Sequence, residues 1–324
     1  MNIHTKSKGV YFLANNKVFE MTTAFLNSFR TYNKDLSLCL IPYNNEFDQI
    51  EAMKNIYDFS IFTNEELLKS CDDISIKFHG NVVGAYRKLV AWEGEFEQFI
   101  YIDIDTIVLD SLSFVWENLS HCKIFTSHSN MPEIRRWVWK DSIYTHSKLN
   151  IAQIEYATNT GFIASSKNIL PMSWILEKVE EALILKDDME LLCMEQPFLN
   201  YLIVTSGYNY GSLFVFFMWG GTITKDIKLE CWAGLPGGIV RGGKFKDPHK
   251  RPIFLMHWAG VWRENNEDLA KIPYVELWNY YRNLDPLNLS APLEEQKKGF
   301  GKILEALSEI LAFKLKKITI KKLA

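Results

Sequence analysis

The chain has 324 residues, a formal net charge of −3, and 48% hydrophobic and 14% aromatic residues. That composition supports a sizeable core and excludes a disordered chain, and so small a net charge gives no case for nucleic-acid binding. The five cysteines, Cys39, Cys71, Cys122, Cys193 and Cys231, are scattered without Cys-x-x-Cys spacing. They argue against a zinc site and a disulfide framework and suit a reducing compartment. Residues 1–8 are basic but no long apolar stretch follows, and no run reaches the ~18 apolar residues of a membrane span. The expected location is the cytoplasm, free or peripheral on the inner face of a membrane.

In chain order, residues 9–14 read as an apolar strand ending in the polar turn Asn15-Asn16-Lys17. Residues 18–32 carry Phe19, Thr23, Leu26 and Phe29 at helical spacing, with Arg30 on the rim. A second strand follows at 36–41, a helix at 48–57, a short strand at 58–62 and a helix at 82–93. The series predicts an α/β fold, a mainly parallel sheet flanked by helices. Ligands of such sheets bind beyond the carboxyl ends of strands, where Asn15, Asn16, Asp103 and Asp105 fall.

Residues 99–109, Phe-Ile-Tyr-Ile-Asp-Ile-Asp-Thr-Ile-Val-Leu, are the most informative stretch. They read as one buried strand broken at alternate positions by two carboxylates, which strand geometry turns to the same face. Such a pair repels and is costly to desolvate, and a divalent cation relieves both penalties; hard oxygen ligands suit Mg²⁺ or Mn²⁺. By the same logic, replacing either aspartate with asparagine is expected to leave metal-free stability unchanged or raised. Downstream, a strand at 252–256 delivers His257, with Gly260 and Arg263 each three residues further on. Imidazole can ligate a metal, glycine admits a close backbone approach to a diphosphate, and the guanidinium can fork onto phosphate oxygens.

Asp103-x-Asp105 together with His257-x-x-Gly260-x-x-Arg263 resembles the metal and diphosphate site of GT-A-fold glycosyltransferases, closest to the retaining family 8 type that includes glycogenin. Three further elements match in family order. Asn159-Thr160-Gly161 resembles the Asn-x-Gly strand that lines the donor sugar. Glu195-Gln196 resembles the acid-Gln element near the anomeric carbon, usually Asp-Gln. Arg87-Lys88 resembles the helix that sends a basic side chain to the nucleotide. Where the family usually has Lys, this chain has Arg263. The resemblance covers residues 9–263 and implies a Rossmann-like GT-A domain over residues 1–285. It implies Asp103, Asp105 and His257 as ligands of Mn²⁺ or Mg²⁺, and Gln196, Glu195 and Asn159 as catalytic residues. It implies a nucleotide-sugar donor, UDP-linked, held by Ala14, Asn15, Asn16, Arg87, Lys88, Ile104, Thr160, Gly161, Gly260 and Arg263. The acceptor is a saccharide, a lipid-linked sugar or a protein. Retention can come from attack on the face of departure or from double displacement on Glu195.

Duller readings stand beside these. Asn159 and Gly161 can form a turn, Gln196 can cap a helix at 196–204, and one of Arg87 and Lys88 is expected to be a solvated helix charge. The Gly-rich residues 234–243 form either a lid or a hairpin connection, and residues 135–140 either stack an acceptor sugar or pack a helix. Two other functions compete. Asp103-x-Asp105 after an apolar strand approximates the nucleophile motif of haloacid-dehalogenase-like phosphatases, and a non-catalytic sugar-nucleotide-binding protein would keep the same site. Residues 286–324 form a linker and extension. Residues 294–324 carry +4, leaving −7 on the rest, and place Phe300, Ile303, Leu304, Leu307, Ile310 and Leu311 on one helical face. That basic amphipathic helix either docks on the body, pairs two copies, or lies on anionic lipid.

Overall fold

The computed structural model describes residues 6–218, 228–233, 239–241, 244–246, 252–261 and 272–290. Its strands are, in chain order, β1 (Lys6–Ala14), β2 (Ser37–Pro42), β3 (Ser60–Ile61), β4 (Phe96–Ile102), β5 (Thr106–Val108), β6 (Ile124–Thr126), β7 (Phe162–Ser166), β8 (Tyr210–Ser212), β9 (Leu229–Trp232), β10 (Ile239–Arg241), β11 (Lys244–Lys246) and β12 (Ile253–His257). The chain divides into two compact units: Met1–Thr22, Asp35–Ile104 and Leu112–Ile227 form the first, and Thr23–Lys34, Asp105–Ser111 and Lys228–Ala324 the second.

The first unit is built on a seven-stranded sheet in the order β3-β2-β1-β4-β7-β6-β8. β1 pairs parallel with β2 and β4, β2 with β3, and β6 with β8; β7 alone runs antiparallel to its neighbours. The sheet is therefore mainly parallel and flanked by helices, as the βαβ pattern implied. Parallel strands are covered on both faces, and accordingly Val10, Tyr11, Phe12, Phe99 and Ile100 are wholly buried.

Local outcomes differ from the expectations at four places. Residues 48–57 form two one-turn helices, Asp48–Glu51 and Lys54–Tyr57, because the Met53 amide bonds to Ile50 O, three residues back, and tightens the chain between them. A long helix, Glu65–His79, occupies a stretch where none was expected. Its signals were present: Asn64 accepts from the Leu67 amide, glutamates fill the first turn, and Leu68, Cys71, Ile74 and Phe78 are buried at helical spacing.

The segment at 82–93 is a run of 3₁₀ turns over Gly84–Glu93 rather than an α-helix. Every residue from 84 to 92 is buried, so packing on all sides overrides the intrinsic preference. Finally, residues 99–109 are two strands, not one. β4 belongs to the seven-stranded sheet and β5 to another, and residues 103–105 form the turn between them. The alternation argument for Asp103 and Asp105 therefore fails. Both carboxylates leave a turn, because two charged groups so close together are better tolerated where the ladder is interrupted.

The second unit contains a three-stranded sheet, β5-β12-β9, in which β12 runs antiparallel to β5 and parallel to β9. Trp258, Trp278, Tyr281, Met256 and Leu277 form its core with Ala24 and Ile107. Side chains from residues 23–34 stitch it together: Ser28 Oγ accepts from the Val108 amide at 3.0 Å, and Asn27 Nδ2 donates to Tyr281 O at 2.7 Å, closing the end of the helix Val275–Arg282. β10 and β11 form an antiparallel ladder over the edges of the Gly-rich segment, the rest of which lies outside the described residues. The expected helix at 294–324 lies outside them as well. Among the described residues no helix is long and apolar enough to cross a membrane.

Gly84 opens the 3₁₀ run that carries Arg87 and Lys88. A Cβ there would lie 2.0 Å from the backbone oxygen of Tyr43, which cannot swing aside as a side-chain tip would. Gly84→Ala is expected to lower stability by about 1–3 kcal/mol or more through overpacking. Thermal or urea unfolding of the two proteins measures it, and equal midpoints would refute the close-approach argument.

Candidate active site

In the first unit the centre of the site is Lys88, only 3% exposed. Its ammonium lies 2.5 Å from Glu195 Oε1 and 3.3 Å from Asp103 Oδ1, reaches Thr160 O at 3.5 Å, and sits over the Tyr101 ring. Burial alone would lower the Lys88 pKa; the charges of Asp103 and Glu195 outweigh it and raise it above the ordinary value. Lys88 is thus a fixed cation. Asp103 is held further by the Tyr101 hydroxyl, which donates to Oδ1 at 2.6 Å, and its amide donates to Gly161 O at 2.8 Å.

The Asn159-Thr160-Gly161 element and the Glu195-Gln196 element meet around this cation. Thr160 Oγ1 donates to Glu195 Oε1 and the Thr160 amide to Gln196 Oε1, both at 3.2 Å. Gln196 Nε2 donates to Trp137 O at 3.1 Å. Gln196 therefore does not cap its own helix, Gln196–Thr205; it ties that helix to residues 137 and 160. Asn159 does form the turn: its Oδ1 accepts from the Gly161 amide at 2.8 Å. Met194, immediately before Glu195, has φ 56, a left-handed value that an unbranched residue adopts only when its surroundings impose it.

Neither basic residue of the Arg87-Lys88 pair is solvated, contrary to expectation. Arg87 is 7% exposed, forks onto Asp72 at 2.8 and 2.7 Å, and donates to Pro42 O. Alternate faces of the buried 3₁₀ run leave no side open to water. At the carboxyl end of β1, Ala14 O accepts from the Tyr43 amide, Asn15 Oδ1 from the Lys17 amide, and Asn16 bridges Asp48 and the Gln49 amide. Ile104 is buried between the aspartates in sequence.

In the second unit His257 ends β12, 2% exposed. Its Nε2 lies 3.2 Å from Asp105 Oδ1, and its Nδ1 bonds to Glu230 Oε1. Burial would lower the imidazole pKa, but the carboxylates of Asp105 and Glu230 raise it well above the ordinary value. Trp232 Nε1 donates to the same Glu230 oxygen at 2.7 Å. Glu230 was missed at the level of sequence, although a lone carboxylate inside the apolar strand Leu229–Trp232 was a legible signal of a buried, partnered charge. Past His257, Gly260 turns the chain at φ 75, where a side chain would be strained. Arg263 lies outside the described residues. Asp103, in the same turn as Asp105, completes with Asp105 and His257 a group of three side chains that could each offer one ligand atom to a metal ion.

No protein-family model matches the sequence, and no curated protein matches it. Solved structures do match. The galactosyltransferase LgtC, solved in complex with donor and acceptor sugar analogs, aligns with a TM-score of 0.52 at 13% identity, over 89% of this chain and 99% of LgtC. The bifunctional glycosyltransferase WbbM aligns with a TM-score of 0.50 at 11% identity, over 86% of this chain. The glycosyltransferase GlyE of Streptococcus pneumoniae TIGR4 aligns with a TM-score of 0.47 at 12% identity, over 87% of this chain. This chain spans 50% of WbbM and 62% of GlyE. At these identities the likeness to LgtC and WbbM concerns architecture: the chain has the fold of GT-A glycosyltransferases, resembling those of family 8.

Proposed function

We propose that the protein is a glycosyltransferase that moves a sugar from a nucleoside-diphosphate donor, a UDP-sugar by resemblance, to a saccharide, lipid-linked or protein acceptor, with retention and with a divalent cation. The observation that carries this reading is the Asp103, Asp105 and His257 group in a chain with the glycosyltransferase fold. The donor set fits the cation: two carboxylate oxygens and one imidazole nitrogen suit Mn²⁺ or Mg²⁺, and Nε2 is the nitrogen that remains when Nδ1 is engaged by Glu230. When bound there, such a cation supplies Lewis-acid stabilisation of the charge on the departing diphosphate.

The protein's own groups do the rest. The buried ammonium of Lys88 adds a fixed positive charge beside Asp103, in a setting where it is worth more than in water. Arg263 supplies a second cation to the diphosphate, and the donor lies against Ala14, Asn15, Asn16, Ile104, Thr160, Gly161 and Gly260. Arg87, bonded to Asp72 and Pro42 O, supports the segment. Gln196 and Asn159 orient the sugar, and Gln196 keeps hydrogen-bonding capacity beyond the two contacts it makes. Glu195 is 5% exposed, ion-paired to Lys88 and bonded to Thr160, which favours a positioning role over that of a nucleophile. A phosphatase reading is disfavoured, because the fold matches those of solved glycosyltransferases.

A panel of sugar nucleotides assayed with Mn²⁺ is expected to show turnover that chelator abolishes, with phosphomonoesters untouched. Asp103→Asn and Asp105→Asn should each cut the rate roughly 10³-fold or more, a few kcal/mol of lost charge stabilisation. Full activity of both in chelator would sink the reading. Because each aspartate faces a buried cation, the same substitutions are expected to lower the metal-free melting midpoint, not raise it as repulsion alone would.

Glu195→Gln separates the mechanisms. Loss of a charged hydrogen bond is about 1.5–3 kcal/mol, a fall of roughly 10- to 150-fold in kcat, with residual transfer and an α-linked product from an α-linked donor. Anomeric coupling in proton NMR reads the product; a β-linked product rejects retention, and a trapped glycosyl-enzyme on Glu195 rejects the positioning role.

A further inference from the structure

Glu230 is fully buried as a side chain, an expensive place for a carboxylate unless donors surround it. Trp232 Nε1 at 2.7 Å and His257 Nδ1 are among them, both on Oε1. An ionised carboxylate only accepts hydrogen bonds, and a neutral imidazole carries one N–H and one lone pair. When a metal ion takes the place of the proton on Nε2, the remaining hydrogen of His257 is on Nδ1, where Glu230 accepts it, and the lone pair is on Nε2, the nitrogen that faces Asp105.

The sheet is built to make this contact. β12 pairs Ile253 with Leu229 but Leu255 with Glu230, a shift of one residue. In an unshifted register Phe254 would stand opposite Glu230, and His257, three positions on, would point to the other face. With the shift, Glu230 and Trp232 share the face of Leu255 and His257.

We propose that Glu230 is a positioning residue for His257: it fixes the ring and its Nδ1–H tautomer, presents Nε2 beside Asp105, and so sets the affinity of the Asp103, Asp105 and His257 group for a divalent cation. This rests on the metal-binding reading above. Partners behind a ligating histidine typically change metal affinity by 10- to 100-fold when removed. The buried charge also counts: with Asp105 it presents two negative groups to the imidazole and whatever cation shares Nε2.

Titration of the full chain with Mn²⁺, following the free ion by electron paramagnetic resonance in the absence of any donor, tests it. Wild-type protein is expected to bind, and Glu230→Gln to bind about 10- to 100-fold more weakly while keeping a cooperative metal-free melt. Trp232→Phe keeps the carboxylate but removes one of its anchors, and is expected to weaken binding by a smaller factor. A merely structural Glu230 would lower the melting midpoint and leave the affinity of the folded protein unchanged. Wild-type affinity in folded Glu230→Gln overturns the proposal; should that variant not fold, wild-type affinity in Trp232→Phe overturns it. A wild-type chain that binds no Mn²⁺ overturns the metal-binding reading itself, and this inference with it.

Discussion

A charge removed from water must be met by another, and two buried cations impose that demand here. Lys88 stands between Asp103 and Glu195, and His257 between Asp105 and Glu230. The pattern is the same in each unit: an aspartate of the Asp-x-Asp turn, a cation almost wholly buried, and a glutamate behind it. An unpaired ion at either place would cost several kcal/mol, so the elements that bring the partners must be held in register. The 3₁₀ run Gly84–Glu93 delivers Lys88, and β12 delivers His257.

This arrangement changes what the two aspartates are. Taken alone they would be a repelling pair in need of an external cation. Each in fact has an internal cation as neighbour, yet four carboxylates share two cations, so the metal-free group keeps a net negative charge that a divalent cation would balance. The same groups restrain the carboxylate oxygens and Nε2, which is what the proposed charge-stabilising site needs: dipoles and charges set in place before a substrate arrives. Lys88 has three acceptors for its three N–H groups, in Glu195, Asp103 and Thr160. The strained backbone at Met194 and the turn at Asn159 are further costs at the same place, consistent with a region selected for geometry over stability.

Much of the fold and of the candidate site was legible from residue order. Apolar β-branched runs marked β1, β2, β4 and β12, and their alternation with helical spacing implied the mainly parallel sheet, because side-chain periodicity is a local property. Asp103, Asp105 and His257 stood out because charged or ligating groups ended apolar strands. The helix Glu65–His79 was equally legible by its cap and periodicity. Tertiary structure alone decided that Asp103 and Asp105 lie in a turn between two sheets, since strand pairing depends on distant partners. It decided that Arg87 pairs with Asp72 while Lys88 reaches Asp103 and Glu195, a choice between adjacent residues that helical spacing cannot make. It decided Glu230 as well, because the one-residue register shift that turns it toward His257 is a relation between β9 and β12, strands separated along the chain and paired only in space.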